Sequence, residues 1–283
     1  MNININKNFF LSTVFINRLS VLGVKDALVS PGSRNTPLVC ALAEKKEIRK
    51  TIILDERSSG FFALGVAKAT NSPVLIVTTS GTAVAELYPA IIEAYQSRVP
   101  LIICTADRPA ELHNCGANQT INQENIFGNH IRNYYNFSNF DESESSVEEL
   151  IAKTTEAFFI ASKFDIGPVH INFPFAKPLE PDTYTTTIDK DYYNRILHKL
   201  HIINYPEKKE YDIVTAKITS MLEKLKEKRK GIIIVGPGNY SNEFYNNCYA
   251  LAQKLNFPIF ADGLSSFRFT HNDYENLLLN NYP

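Results

Sequence analysis

The feature that most constrains this chain is a rhythm: short apolar, β-branched runs recur along it with helix-length segments between them. That alternation marks βαβ units, and hence a mostly parallel sheet covered on both faces. The runs at 26–30, 51–54, 74–78, 101–105 and 169–173 read as strands, several of them apolar throughout, as doubly covered parallel strands are. Helices are expected at about 8–22, 36–45, 57–69, 83–96 and 146–162, with Pro89 kinking the fourth. Beyond Phe173, Pro174, Pro178 and Pro181 fall close together, and the polar run 183–193 offers no apolar face to bury. The reading therefore gives a first domain at 1–180 and a linker at 181–207. Residues 208–283 open a second α/β unit, with a Lys-rich amphipathic helix at about 211–227, a buried-type strand at 231–235, the turn Gly236-Pro237-Gly238, a helix, and a strand at 258–261.

Composition removes several classes of function. The 283 residues carry 29 Lys+Arg against 30 Asp+Glu, a formal net charge of −1, with the basic residues dispersed. No electrostatic case exists for nucleic acid or an anionic membrane as partner, so charged ligands must be caught by individually placed side chains. No run approaches the roughly 18 apolar residues of a membrane span, and the Asn-rich start lacks the layout of a signal peptide. A cytoplasmic protein without an integral membrane segment is expected. Cys40, Cys104, Cys115 and Cys248 form no metal-ligand spacing and read as reduced thiols.

In open parallel sheets ligands collect beyond the carboxyl ends of the strands, where loops meet helix N-termini. Four such junctions stand out. The first, Ser30 to Pro37, places Gly32 in a sharp turn, Ser33 or Thr36 as a helix cap, and Arg34 where it suits a carboxylate or phosphate; a capped turn with an exposed arginine fits equally. The second, Asp55-Glu56-Arg57-Ser58-Ser59-Gly60, holds a carboxylate at a strand end. Either acid could simply complement the helix dipole, and Glu56 could pair with Arg57. On the following helix Gly60, Ala63 and Ala67 form a small-residue stripe, for internal packing or for a dimer contact. The third junction, Thr79-Ser80-Gly81-Thr82, offers hydroxyls and backbone N–H groups, either to a ligand or to its own helix. The fourth opens the polar stretch 108–123, with Arg108, His113, Asn114, Asn118, Gln119 and Gln123, too polar to be core.

Taken together, four segments resemble the 2-succinyl-5-enolpyruvyl-6-hydroxy-3-cyclohexene-1-carboxylate synthases, thiamine-diphosphate enzymes of menaquinone biosynthesis. They are Ser30-Pro-Gly-Ser-Arg-Asn-Thr-Pro-Leu38, Leu54-Asp-Glu-Arg-Ser-Ser-Gly-Phe-Phe-Ala-Leu-Gly65, Thr78-Thr-Ser-Gly-Thr-Ala-Val-Ala-Glu-Leu-Tyr-Pro-Ala-Ile-Ile-Glu93 and Thr105-Ala-Asp-Arg-Pro-Ala-Glu-Leu-His-Asn-Cys-Gly-Ala-Asn-Gln-Thr120. The second segment alone would indicate only some thiamine-diphosphate enzyme, and the first and last narrow it. The resemblance implies an α/β fold, in which the parallel-sheet pyrimidine-binding domain of such an enzyme precedes a truncated α/β middle domain. It implies Glu56 as the carboxylate that hydrogen-bonds the cofactor's pyrimidine, with Thr79, Ser80, Gly81 and Thr82 beside the ring. It implies Arg34 and Arg108, with Ser33, Asn118 and Gln119, as the isochorismate site, and decarboxylation of 2-oxoglutarate followed by 1,4-addition to isochorismate as the reaction. Two dicarboxylate substrates suit fixed, bidentate arginines in a chain of near-zero net charge.

The family also implies thiamine diphosphate with Mg2+ or Mn2+, a homodimer or homotetramer, and a Gly-Asp-Gly motif with a downstream Asn for the metal. Ala261-Asp262-Gly263 does not reproduce that motif. No metal ligand is therefore expected in this chain, which reads as an N-terminal part of such an enzyme, inactive alone. The rival readings are a non-catalytic dicarboxylate-binding or partner-binding module, and another carboligase of the acetolactate-synthase type.

Overall fold

The computed structural model describes residues 2–202, 215–228, 230–269 and 278. The chain divides into two compact units, Met1–Lys208 and Lys209–Pro283.

The first unit is built on a six-stranded, all-parallel sheet. Its strands, in chain order, are β2 (Asp26–Val29), β3 (Arg49–Ile52), β4 (Val74–Thr78), β5 (Leu101–Asp107), β6 (Tyr134–Asn136) and β7 (Pro168–Pro174), in spatial order β3-β2-β4-β5-β7-β6. Each strand presents alternate residues to opposite faces, so a continuous apolar run must feed two cores. In β4, Leu75 and Val77 join one core while Val74 and Ile76 join the other; in β5, Ile102, Cys104 and Ala106 face the first and Leu101 and Ile103 the second. The first core is closed by α1 (Lys7–Leu22), α2 (Thr36–Glu44) and α6 (Glu144–Phe159), through Phe15, Leu19, Leu38, Leu42 and Phe159. The second lies under α3 (Glu56–Thr70), α4 (Thr82–Glu86) and α5 (Tyr88–Gln96), through Ala63, Leu64, Val84 and Ile91. Side chains buried this completely contribute roughly 1.5–3 kcal/mol each.

Pro89 does more than kink a helix. The expected helix at 83–96 is two helices, α4 and α5, and Pro89 sits in the first turn of α5, where its missing N–H costs nothing. The stripe Gly60, Ala63, Ala67 packs inward: a Cβ added at Gly60 would lie 2.9 Å from the Ala90 Cβ, so the small residue lets α3 approach α5 closely. The strand expected at 51–54 lies at Arg49–Ile52 instead, leaving Leu54 78% exposed beyond it.

The polar run read as unstructured linker is structured. Here β1 (Asn2–Ile5) pairs antiparallel with β8 (Thr186–Asp189), Asn2 opposite Asp189 and Ile5 opposite Thr186. Helix α7 (Lys190–Lys199) follows, capped by Asp189, and buries Ile196, with Leu200 just beyond, in the first core. Asn6, 1% exposed, fastens the two ends of this unit by donating its amide to the carbonyls of Pro178, Glu180 and Thr183. The division at Lys208–Lys209 adjoins the start expected for the second unit at 208, and the segment expected as linker belongs to the first unit. A strand pairing across more than 180 residues leaves no local periodicity to read.

In the second unit α8 (Thr215–Lys226) carries part of the helix expected at 211–227, whose first residues lie outside those described. Strand β9 (Ile233–Val235) pairs in parallel with β10 (Ile259–Ala261), with α9 (Asn242–Leu255) between them. The turn at Gly236-Pro237-Gly238 leads from β9 to the Ser241 cap of α9, and Asp262 closes the turn after β10 by accepting the Leu264 N–H at 2.8 Å. All four cysteines are free thiols. No helix among the described residues is long and apolar enough to cross a membrane.

Candidate functional site

The four junctions all emerge at the carboxyl edge of the parallel sheet, because β2, β3, β4 and β5 run the same way. At the first, neither Ser33 nor Thr36 caps by its side chain; the turn is latched by Asn35, whose Oδ1 accepts the Gly32 N–H and whose Nδ2 donates to the Ser30 carbonyl. Ser33 stays exposed while Arg34 is buried. The Arg34 Nη1 donates to the Phe175 carbonyl at 2.7 Å, and its Nε is buried without an acceptor. Burial holds this guanidinium below its ordinary pKa, the positive charge of Arg108 adds to the effect, and Asp107 opposes it. The two arginines therefore share one electrostatic environment.

Arg108 leaves the end of β5 half-buried, and its Nη1 is a second buried donor with no acceptor. Burial lowers its pKa and Asp107 works against that. Asp107 is 1% exposed; Asn172 Nδ2 donates to its Oδ2 at 2.9 Å and the Arg108 backbone N–H to its Oδ1 at 2.7 Å. Burial pushes the Asp107 carboxyl up, and those hydrogen bonds oppose the shift.

At the second junction the two acids divide the work. Asp55 caps α3 by accepting the Ser58 N–H at 2.7 Å and pairs with Arg57 at 3.9 Å. Glu56, half-buried in the first turn, makes no hydrogen bond or ion pair with any described residue. The side-chain cap and the pairing with Arg57 thus fall to Asp55, while Glu56, in the first turn of α3, still complements the helix dipole.

The third junction is less open than its sequence suggested. Thr79, Ser80 and Gly81 are buried and Thr82 is exposed. The Gly81 N–H is taken by Gln123 Oε1 at 2.9 Å, and the Ser80 carbonyl by Gln119 Nε2 at 2.9 Å. Gly81 has φ +84°, and a Cβ there would meet the Gln119 side chain at 2.8 Å, so glycine is required on both counts. Gln119 is thus engaged with the Ser80 turn, whereas the Asn118 side chain is exposed and unpartnered. Gly32 similarly touches Thr79, linking the first and third junctions, and Ser30 Oγ donates to the Ile53 carbonyl, linking the first and second. The structure brings Arg34, Arg108 and Asp107 together, and Ser80, Gly81 and Gln119 together; Glu56 bonds to none of them.

Several residues here were not singled out from the sequence: Asn35, Asp107 as a buried acid, Thr105, His170 and Asn172. Thr105, Asp107, His170 and Asn172 share the face of the sheet that carries the second core, since their neighbours Cys104, Ala106, Val169, Ile171 and Phe173 all join the first. Polar residues at alternate positions, 170 and 172, inside an otherwise apolar strand were the available signal. A cavity of about 390 Å³ lined by Pro31, Gly32, Ser33, Asn35, Thr36, Val39 and Cys40 adjoins the first junction. A larger open depression lies at Asp141–Glu144 and Thr187–Tyr192 and includes none of the candidate residues.

The sequence is similar to known proteins. The family described as thiamine pyrophosphate enzyme, N-terminal TPP binding domain, matches residues 10–126, the span of the first four sheet strands and all four junctions. The 2-succinyl-5-enolpyruvyl-6-hydroxy-3-cyclohexene-1-carboxylate synthase of Listeria innocua is 40% identical over 258 residues, covering 90% of this chain and 42% of that protein. The synthases of Oceanobacillus iheyensis and Bacillus cytotoxicus are 37% and 35% identical, covering 93% and 95% of this chain and 44% and 45% of their own lengths. The chain spans somewhat less than half the length of these curated relatives.

Proposed function

Because this chain is a relative of the 2-succinyl-5-enolpyruvyl-6-hydroxy-3-cyclohexene-1-carboxylate synthases and carries a thiamine-pyrophosphate-binding N-terminal domain, we propose that it supplies the pyrimidine side of the active site of such an enzyme. The reaction in this reading is decarboxylation of 2-oxoglutarate and 1,4-addition of the resulting succinyl carbanion to isochorismate, in menaquinone biosynthesis. The single observation that carries it is the pair of buried guanidinium donors, Arg34 Nε and Arg108 Nη1, that have no acceptor among the described residues. A buried donor left unpaired costs roughly 1–3 kcal/mol, and more beside a like charge, so a site built this way is completed by an anion from outside. The first-ranked anion is a carboxylate of isochorismate. Ser33, exposed next to Arg34 in sequence, and Asn118, exposed on the stretch that follows Arg108, are the polar partners in the reading, and Gln119 acts through the Ser80 turn.

The residues also fit thiamine diphosphate, because Glu56 offers a carboxylate with no hydrogen-bond or ion-pair partner among the described residues. The bound cofactor supplies the electron sink that makes loss of carbon dioxide possible. Glu56 holds a proton between its carboxylate and the pyrimidine ring nitrogen, and the walls at Thr79, Ser80, Gly81 and Thr82 hold the ring beside it. Arg34 and Arg108 orient the acceptor dicarboxylate and neutralise its charge. The diphosphate and its Mg2+ or Mn2+ belong, in this reading, to a C-terminal domain of the complete enzyme. Exposed Ile52, Leu54, Phe61 and Phe62 around Glu56 support a homodimeric or homotetrameric assembly, and the cytoplasmic location in this reading rests on the sequence alone.

The test is Glu56→Gln in the complete enzyme. Adduct formation from isochorismate and 2-oxoglutarate should fall by orders of magnitude with folding retained; unaltered turnover would remove Glu56 from the reaction. Pyruvate replacing 2-oxoglutarate with equal efficiency would favour an acetolactate-synthase type of carboligase instead.

A further inference from the structure

A buried polar chain lies beneath the candidate site and joins two of its parts. Gln123, fully buried, accepts the Gly81 N–H with Oε1 and donates with Nε2 to the Ala106 carbonyl at 3.1 Å and to Asn172 Oδ1 at 2.8 Å. Asn172, 1% exposed, spends Nδ2 on Asp107 Oδ2, and Asp107 Oδ1 in turn receives the Arg108 backbone N–H. The Thr105 hydroxyl also donates to Asn172 Oδ1, at 2.7 Å. Since that hydroxyl has one hydrogen, it accepts from His170 Nε2, 2.8 Å away, which fixes the imidazole tautomer.

Every polar atom of the Gln123 and Asn172 side chains named here is matched, and none faces solvent. Buried networks of this kind are rigid because any displacement strands a donor or acceptor in a medium that cannot replace it. One end of this network sets the Gly81 turn, whose positive φ glycine alone adopts freely. The other end sets the residue that precedes Arg108.

We propose that Gln123 and Asn172 are positioning residues that hold the Gly81 turn and the Arg108 backbone as a single unit. In the reading given under Proposed function, on which the functional half of this inference rests, they keep the cofactor-side wall in register with the arginine that holds the acceptor dicarboxylate. Neither residue touches a reacting atom; both act through backbone they bond.

The decisive experiment reads each end of the network after cutting the other. Amide exchange of Gly81 and of Arg108 is measured in the chain and in Asn172→Leu and Gln123→Met. Asn172→Leu does not touch Gly81, yet Gly81 exchange should rise roughly tenfold, the scale of one hydrogen bond; Gln123→Met should raise Arg108 exchange similarly. A purely local structural role predicts that each variant speeds only the amides whose own partners it removes, and that result would overturn the proposal. Asp55→Ala is the control: it removes the α3 cap and no bond of this network, and should lower the melting temperature while leaving both amides within twofold; a comparable rise in either would overturn the proposal. Should either apolar variant fail to fold, Asn172→Asp keeps the Oδ1 acceptor, sets a second carboxyl against Asp107 in place of the amide, and should still speed Arg108 exchange. In the complete enzyme Asn172→Asp should raise the isochorismate KM about tenfold with the 2-oxoglutarate KM within twofold; equal change in both would overturn the functional half. If the unaltered enzyme makes no adduct from isochorismate, the reading of the reaction fails, and the exchange measurements still decide the coupling.

Discussion

Replacing Gly32 by alanine probes the contact that sets the Arg34 turn against the Thr79 wall. Gly32 lies in extended backbone, φ −164° and ψ 165°, which alanine adopts freely, so any penalty is steric. The new Cβ would lie 2.6 Å from Thr79 Cβ and 2.7 Å from both Cγ2 and Oγ1. Ordinary carbon contacts sit at about 3.5–4.0 Å, so the surfaces must part by about 1 Å. Neither can retreat easily. Thr79 is 6% exposed at the end of β4, with its Cβ fixed to the main chain, and the turn is tied by Asn35 to Gly32 and Ser30 and by the Ser30 N–H to the Val77 carbonyl. Overpacking of this kind costs roughly 1–3 kcal/mol. In urea, with a slope of about 1–3 kcal/mol per molar, the unfolding midpoint should fall by roughly 0.5–1 M. Thr79→Gly removes all three clashing atoms, so in a double-mutant cycle Gly32→Ala should cost about 1–2 kcal/mol less in the Thr79→Gly background. A Gly32→Ala protein as stable as its parent, or one equally destabilised in both backgrounds, would refute the reasoning.

Three further outcomes are expected. Arg34→Ala and Arg108→Ala in the complete enzyme should each raise the isochorismate KM by roughly 30-fold or more, the scale of a lost charged hydrogen-bonded pair, while sparing 2-oxoglutarate decarboxylation; steady-state kinetics with an artificial electron acceptor separates the steps, and an equal fall in both contradicts the assignment. Asp55→Ala removes the cap of α3 and should cost about 1 kcal/mol, read as a melting temperature lower by about 2–4 °C. Burial pushes His170 from 6.5 down to about 3, so the folded chain refuses a proton that the unfolded chain accepts. The stability present above pH 6.5 is therefore lost progressively as pH falls toward 3, with a slope of up to about 1.4 kcal/mol per pH unit from this group. Denaturant unfolding at pH 7, 6 and 5 should show a shallower decline in His170→Asn than in the parent, and parallel curves would refute the assignment.

The sheet strands with long apolar runs were legible because burial on both faces forces such runs: β4 and the start of β5 are where the sequence puts them. Elements held by partners far away were not. The strand Asn2–Ile5 and its mate Thr186–Asp189 are short, half polar and paired across more than 180 residues, and α7 fully buries one isoleucine, its two tyrosines packing only partly against the core. At the site, the positions of Glu56, Arg34 and Arg108 at strand ends could be read locally, because βα junctions follow directly from the strand pattern. What could not be read was which acid would cap α3, since Asp55 and Glu56 are adjacent and chemically alike; only the helix start places Asp55 at the cap and leaves Glu56 free.

The sequence by itself determined the α/β architecture, the four junctions and the residue types that make an anion site, because strand alternation and turn chemistry are local properties of the chain. The tertiary structure alone decided which donors at those junctions remain free. Gly81 and Ser80 are consumed by Gln123 and Gln119, whereas Arg34 and Arg108 each keep a buried N–H unpaired. Hydrogen-bond capacity belongs to a residue, but its satisfaction depends on partners 39 and 42 positions away along the chain, and only the packed sheet edge brings those together.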